Sequence, residues 1–360
     1  MNSAERRDVA NFAPAVHAAL QEAGVVARVR TSSPELWAQT CSRLVYFPVD
    51  YSSAMIDYQL AYWSGSDRPA FDVSVILEHD NRPCAVWPLS VRVDLADGKH
   101  KVLLGSNGAA VLPPLFVAGT ARKSAKTVTG ACIEALGSLC RNVGQPVFES
   151  TEAYAGDVGL NDWHDRLMAA GASGVLRHDL FVDLSASMAD IKSAFRKSYK
   201  ALISSGTKLW SVQVVDRADA TQWEEFHQLH IAVAGRVTRS DESWQLQHAA
   251  VASGDAFFVC LRDEGGRMVG AGLFHVTRDE GLYAVGAYDR TLFDKPLGHV
   301  VQYHAIEEMK RRGLRWYKLG ARVYPGDLPA ASEKEIAISN FKQGFASHLF
   351  PRYEIRHEPN

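Results

Sequence analysis

The chain has 360 residues, 47% of them hydrophobic and 22% charged, with a formal net charge of −2. That length and composition suit a globular fold of two domains or one large one with a sizeable core. The near-neutral balance excludes the bulk electrostatic footprint of a dedicated nucleic-acid binder.

In chain order, residues 1–30 predict a helix and a short strand, VVARVR. Ser33-Pro34-Glu35 supplies an N-cap, a proline at the first helical position and an acid in the first turn, so a helix is expected to about Leu44. Tyr46, Phe47, Tyr51 and Tyr58 form an aromatic-rich loop region before Trp63. Residues 71–77 and 83–93 read as strands around the Asp80-Asn81 turn, with a third over 102–104. A long helix over 121–143 starts basic and carries Val128, Ile133, Leu136 and Leu139 on an apolar stripe. A strand (145–148), a helix (161–170) and a strand (175–184) follow.

Ser185 or Ser187 caps a helix to about Ser204 that is strongly basic in its second half. Next come a strand (209–215), a helix (220–234), the loop Gly235-Arg236-Val237-Thr238-Arg239 and a helix (241–252). A hairpin over 256–261 and 268–276 turns at Glu264-Gly265-Gly266. The following strand ends at Tyr288-Asp289-Arg290. A loop with Pro296 and Gly298 leads into a helix that Gly313 stops. A short strand over 314–319 ends at Gly320, a helix carries Phe341-Lys342, and 353–357 is the last strand. Strand, glycine turn, helix, strand is the pattern of a parallel pair with a crossover. It sets a helix N-terminus, whose unpaired N–H groups receive anions, beside two strand ends. The element order of the first half repeats in the second. The expectation is an α/β protein with mixed sheets, in two copies of one fold at 1–184 and 185–360. A helix over 187–206 links them, with a cleft between.

Four stretches carry a resemblance: FRKSYKALISSG (195–206), LHIAVAGRVTRSDESW (229–244), GAYDRTLFDKPLGH (286–299), and KLG followed by NFKQGF (318–320, 340–345). They resemble the FemAB-like branch of tandem GNAT acyltransferases, and the F-K-x-x-F ending before a final strand is the most characteristic part. The likeness covers about 180–355, and 30–180 by element order alone. It implies transfer of an acyl group onto an amine. Relatives include peptidoglycan aminoacyltransferases that use aminoacyl-tRNA, and others resemble acyl-CoA-dependent enzymes acting on nucleotide-linked amino sugars. The GNAT pyrophosphate loop, Arg/Gln-x-x-Gly-x-Gly/Ala, is nearest to Lys295-Pro296-Leu297-Gly298-His299-Val300. Lys295, Gly298 and His299 are therefore the coenzyme A candidates, and Val300 is expected to crowd a pyrophosphate. A long charged helical hairpin found in some tRNA-dependent relatives is missing.

Amide formation needs a neutral amine, donors for the oxyanion, and two substrates held together. Base candidates are His230, with His227 beside it, and His275. His230 shares a helical face with Trp223, Phe226 and Val233, which also describes a core-edge histidine. Asp289 is a base, an orienter or half of a loop ion pair. Tyr288 either protonates a leaving thiolate or packs. Arg236 and Arg239 on one short loop suit a diphosphate. Arg196, Lys197 and Lys200 form a basic helix surface. Lys318, Arg322 and Lys342 converge on the C-terminal end of the short strand, a usual ligand position in α/β sheets. Trp244, Tyr324 and Tyr51 are candidates for base stacking.

The histidines lack metal-ligand spacing, so no metal is expected. The five cysteines form no C-x-x-C pair and read as reduced thiols of a cytoplasmic protein. The first residues lack the apolar core of a signal peptide, and no run is long enough to span a bilayer. The functional expectation is an N-acyltransferase of surface-polysaccharide biosynthesis. It would move an acyl group from a coenzyme A thioester to a nucleotide-linked amino sugar. Aminoacyl transfer from charged tRNA to a peptidoglycan precursor, and a non-catalytic tandem GNAT binding module, are the alternatives. The oligomeric state stays open, a homodimer included.

Overall fold

The structure, a computed structural model, describes residues 12–65, 68–96, 99–145, 148–152, 160–217 and 219–358. They form two compact units. The first is built from residues up to 152, 160–176 and 352–358, the second from 177–351.

In the first unit the chain runs α1 (Phe12–Glu22), β1 (Val26–Val29), α2 (Pro34–Ser42), α3 (Ser53–Trp63), β2 (Ala70–Asp72), β3 (Val75–His79), β4 (Arg82–Trp87), β5 (Ser90–Ala96) and β6 (Lys99–Gly105). It continues through β7 (Leu115–Phe116), α4 (Arg122–Asn142), β8 (Phe148–Glu152) and α5 (Asp162–Ala169). One sheet has the order β1-β3-β4-β7 and another β2-β5-β6. Strand alternation divides the core. Val75 and Leu77 face one way, onto Val128, Cys132 and Leu136 of α4 and Val16 and Leu20 of α1. Ile76 and Val86 face the other, onto Trp37 and Cys41 of α2. The aromatic stretch before Trp63, expected as loop, is helical from Ser53. The Ser52 hydroxyl accepts the Met55 N–H and caps it. Tyr51 is interior, its hydroxyl donating to the Pro113 carbonyl at 2.7 Å, so it offers no stacking surface.

The second unit holds most of β9 (Ser173–Asp183), then α6 (Met188–Ala194), α7 (Lys197–Leu209), β10 (Ser211–Val215), α8 (Ala220–Ala234), α9 (Asp241–Ser253), β11 (Ala256–Arg262), β12 (Met268–Val276) and β13 (Glu280–Tyr288). It ends with α10 (Leu297–Arg311), β14 (Trp316–Arg322), α11 (Glu333–Gln343) and the start of β15 (His348–His357). Its strands are ordered β10-β11-β12-β13-β14-β9. Only β13 and β14 pair in parallel among these neighbours. Leu297, Val300, Val301 and Ile306 of α10 bury one face with Phe257, Val259 and Phe274. Trp223 and Phe226 of α8 cover the other through Phe258.

Two expectations are corrected here. The linking helix over 187–206 is two helices, because Phe195 and Arg196 are extended. The break lets Phe195 pack on Phe345 at 5.2 Å and the Arg196 N–H reach the Gly344 carbonyl. The short strand does not stop at Gly320 but runs through it to Arg322 with a bulge. All five cysteines are buried and none is in a disulfide among the described residues. No helix among the described residues is long and apolar enough to cross a membrane.

Candidate active site

The parallel ladder between β13 and β14 is short. Glu280, Gly281 and Leu282 pair with Trp316, Tyr317 and Lys318, and there the register ends. Both strands continue, β13 to Tyr288 and β14 to Arg322, with β14 held instead by β9. The strands therefore part, and the opening lies between residues 283–288 and 319–322. Gly320, at φ +104°, adopts a backbone that a side chain disfavours.

The F-K-x-x-F segment explains itself at this opening. A capping box of Ser332 and Glu335 starts α11. Phe341 and Phe345 then pack around Tyr199, with ring centroids 5.9 and 4.9 Å away, and Phe341 lies 5.1 Å from His299. With both phenylalanines anchored, Lys342 projects the other way. Its Nζ stands 5.6 Å from the Tyr283 ring centre and 3.1 Å from where a Cβ on Gly320 would lie. Burial lowers the Lys342 pKa, opposed by the charge of Asp179. Asp179, buried on β9, also lies 3.8 Å from Lys318 Nζ.

Phenols complete the opening. The Tyr283 and Tyr288 hydroxyls are 3.0 Å apart. Gly286 permits this, because a Cβ there would collide with the Tyr283 hydroxyl. The Tyr317 hydroxyl donates to Gln302 Oε1, and both residues are fully buried. Burial raises the Tyr283 and Tyr288 pKa values, so both hydroxyls keep their protons at neutral pH. A partly buried ammonium and a protonated phenol pair are the donors that a developing oxyanion and a departing anion require.

The other candidates fall elsewhere. His230 and Arg239 meet: Arg239 Nη1 lies 2.8 Å from His230 Nε2. The guanidinium can only donate, so that nitrogen accepts and its lone pair is occupied. Burial first, then the charges of Arg239 and His227, push the His230 pKa down to about 4. Trp244, a candidate for stacking, is buried among Trp223, Phe226, His227 and His230 and serves as core. Arg236 is exposed. His275 stands opposite Ala256 and Leu282, where β13 is still paired to β14, and not at the opening. Asp289 accepts from the Thr291 N–H and hydroxyl and pairs with Arg267 at 2.8 Å; these contacts lower its pKa and occupy its oxygens.

Arg322 donates to Ser339 Oγ at 2.8 Å and stacks on Tyr324, tying α11 to β14. Arg196 donates to the Asn340 carbonyl, and Lys197 is exposed in the first turn of α7. Lys295 is exposed and pairs with Asp294. Around Gly298 the turn is occupied: a Cβ would meet Phe341 at 3.1 Å and Tyr288 at 3.6 Å. His299 faces Tyr199 at 4.5 Å, and burial lowers its pKa to about 4. Val300, expected to crowd a pyrophosphate, points inward against Gly206 and cannot do so. Sequence reasoning missed Tyr283, Gln302, Tyr317 and Asp179. The signal for the first was present in Tyr283-Ala-Val-Gly286-Ala-Tyr288, two phenols around a glycine in one strand.

An antiparallel meander followed by a parallel pair that parts is the strand pattern expected of the GNAT fold, and Lys342 stands at the parting. In agreement, the family model described as an acetyltransferase (GNAT) domain matches residues 193–330. The chain is also similar in fold to solved proteins described as FemX and as a tandem GNAT protein. It shares its fold with FemX at 11% identity, covering 89% of this chain and 95% of that one with a TM-score of 0.66. L-PGS from Bacillus licheniformis is similar at 12% identity, 91% and 93% coverage and a TM-score of 0.55. A tandem GNAT protein of the clavulanic acid biosynthesis pathway is similar at 13% identity, 93% and 98% coverage and a TM-score of 0.50. No curated protein sequence matches significantly.

Proposed function

We propose that the second unit transfers an aminoacyl-type group from an oxygen ester, as carried by charged tRNA, to an acceptor amine. The observation that carries this reading is Lys342, a partly buried ammonium beside Gly320 and the Tyr283 ring. The amine attacks the ester carbonyl seated in the opening, and the carbonyl oxygen gains negative charge opposite Lys342. Collapse breaks the bond to the ester oxygen. The proton lost by nitrogen passes across the Tyr283–Tyr288 hydroxyl pair to that leaving oxygen, so atoms and charge balance. Proximity supplies much of the acceleration, and no histidine base is required. The ester donor is preferred to a thioester because Phe341 and Tyr288 fill the space off Gly298 that a coenzyme A pyrophosphate would approach.

A second reading keeps coenzyme A thioester as donor and a nucleotide-linked amino sugar as acceptor. Arg236 favours it: exposed, and in no ion pair among the described residues, its fork suits a diphosphate. One experiment separates the two. Gel retardation of aminoacylated tRNA, weakening steeply with salt, together with radiolabelled transfer to an amine, is expected under the first reading. Calorimetric binding of coenzyme A, with thiol release when acetyl-CoA and amino-sugar nucleotides are mixed, would replace the first reading by the second.

A further inference from the structure

The first unit carries a pocket of about 500 Å³ that acyl transfer in the second unit does not use. One wall is Trp63, the last residue of α3, 39% exposed. The indole is fixed in place. Gly108, at φ +74°, lies so close that a Cβ there would meet Trp63 Cδ1 at 2.5 Å. On the ring stacks the Arg92 guanidinium, 5.0 Å from the centroid. Arg92 is itself clamped, with Nε and Nη2 donating to Asp94 at 2.9 Å and Nη1 to the Gly108 carbonyl. An aromatic surface held this way loses little freedom when a ring stacks on it.

Two cations complete the pocket. Lys101 on β6 stands across from Asp94 on β5, but the Arg92 fork already holds that carboxylate. Arg356 on β15 stands across from Glu149 on β8. Both cations line the pocket, both are exposed, and neither makes an ion pair among the described residues. A preset aromatic wall, two cations outside any ion pair among the described residues and a volume within the usual range for small-molecule sites suit an anionic ring compound.

We propose that this pocket binds a phosphate ester of a ring compound, a nucleoside phosphate or a sugar phosphate. The ring lies against Trp63, the phosphate between Lys101 and Arg356, and Glu149 accepts a ring hydroxyl or N–H. The proposal goes beyond the acyl-transfer reading and does not rest on it.

Calorimetric titration of the full chain with uridine diphosphate, adenosine diphosphate, glucose 1-phosphate and inorganic phosphate tests it. At least one ring phosphate is expected to bind with a Kd below about 1 mM. Lys101→Ala and Arg356→Ala should each weaken it about tenfold, the loss of one charge-assisted contact. Trp63→Leu should weaken it further. Should Trp63→Leu fail to fold, the two exposed cation variants carry the test. Nucleotide binding without glucose 1-phosphate binding names a nucleoside ligand, and the converse names a sugar. The proposal is overturned if no ring phosphate binds, if inorganic phosphate binds as tightly, or if the double cation variant binds like the parent. No acyl donor is present, so that failure leaves the reading of the second unit untouched.

Discussion

His275 offers a sharp test of burial against catalysis. It sits on β12, 1% exposed, and burial pushes its pKa from 6.5 down to about 4. The folded chain therefore keeps this imidazole neutral at a pH where the unfolded chain protonates it. Its contribution is intact above pH 6.5 and is lost as pH falls towards 4, because the unfolded state then binds the extra proton. Each pH unit over which the two states differ by a proton is worth about 1.4 kcal/mol, so between pH 7 and pH 5 the loss is about 2 kcal/mol. His275→Leu removes this term. Urea unfolding followed by tryptophan fluorescence at both pH values should show the variant losing about 2 kcal/mol less than the parent. The parent's other histidines with lowered pKa, His17, His164, His230, His299 and His357, leave a common slope in both proteins. A variant whose pH difference equals the parent's would refute the argument, as would a His275 resonance titrating near its ordinary value. Either result would mean that burial does not hold this imidazole neutral.

Lys342→Met should lower turnover by about 10²–10³, the usual loss for one oxyanion donor. Its melting temperature should hold or rise, since a partly buried ammonium is costly. In the parent, rate should fall as pH rises through the depressed Lys342 pKa, and a pH–rate profile without that alkaline limb would count against the role. Arg239→Ala should raise the His230 pKa from about 4 by removing a neighbouring cation, read by NMR titration; no movement would mean burial alone sets it. Gly298→Val should destabilise by about 1–3 kcal/mol through overpacking against Phe341, with Phe341→Leu recovering part; an unchanged melting curve would disprove the contact.

Local signals carried much of the fold into the sequence. Capping serines, stop glycines and period-two runs marked most strands and helices, because those features act within a few residues. Ser52 shows the limit: Tyr46 to Tyr58 read as an aromatic loop, while one hydroxyl on the Met55 N–H starts a helix inside it. Phe195 and Arg196 show another, since their helix break depends on Phe345 and Gly344, about 150 residues onward. At the site, Lys342 and Tyr288 were legible from motif and strand end. Asp179 was not, because nothing near it in the chain announces that β9 will lie beside β14. The pairing of His230 with Arg239 joined two residues assigned separate tasks, and only three-dimensional contact could reveal that.

The second unit, 177–351, interrupts the first. The closing half of β15 pairs Tyr353 to His357 with β8, and Ile355 enters the core with Val128 and Trp163. During synthesis the ribosome therefore completes every residue of the second unit before it releases the strand that seals the first. Domains made in series normally fold in the order of their synthesis. Here the amino-terminal unit must wait, with Phe148 lacking its His357 neighbour, until the second unit has left the exit tunnel. Whatever protects a half-made sheet in the cell has its longest task at β8.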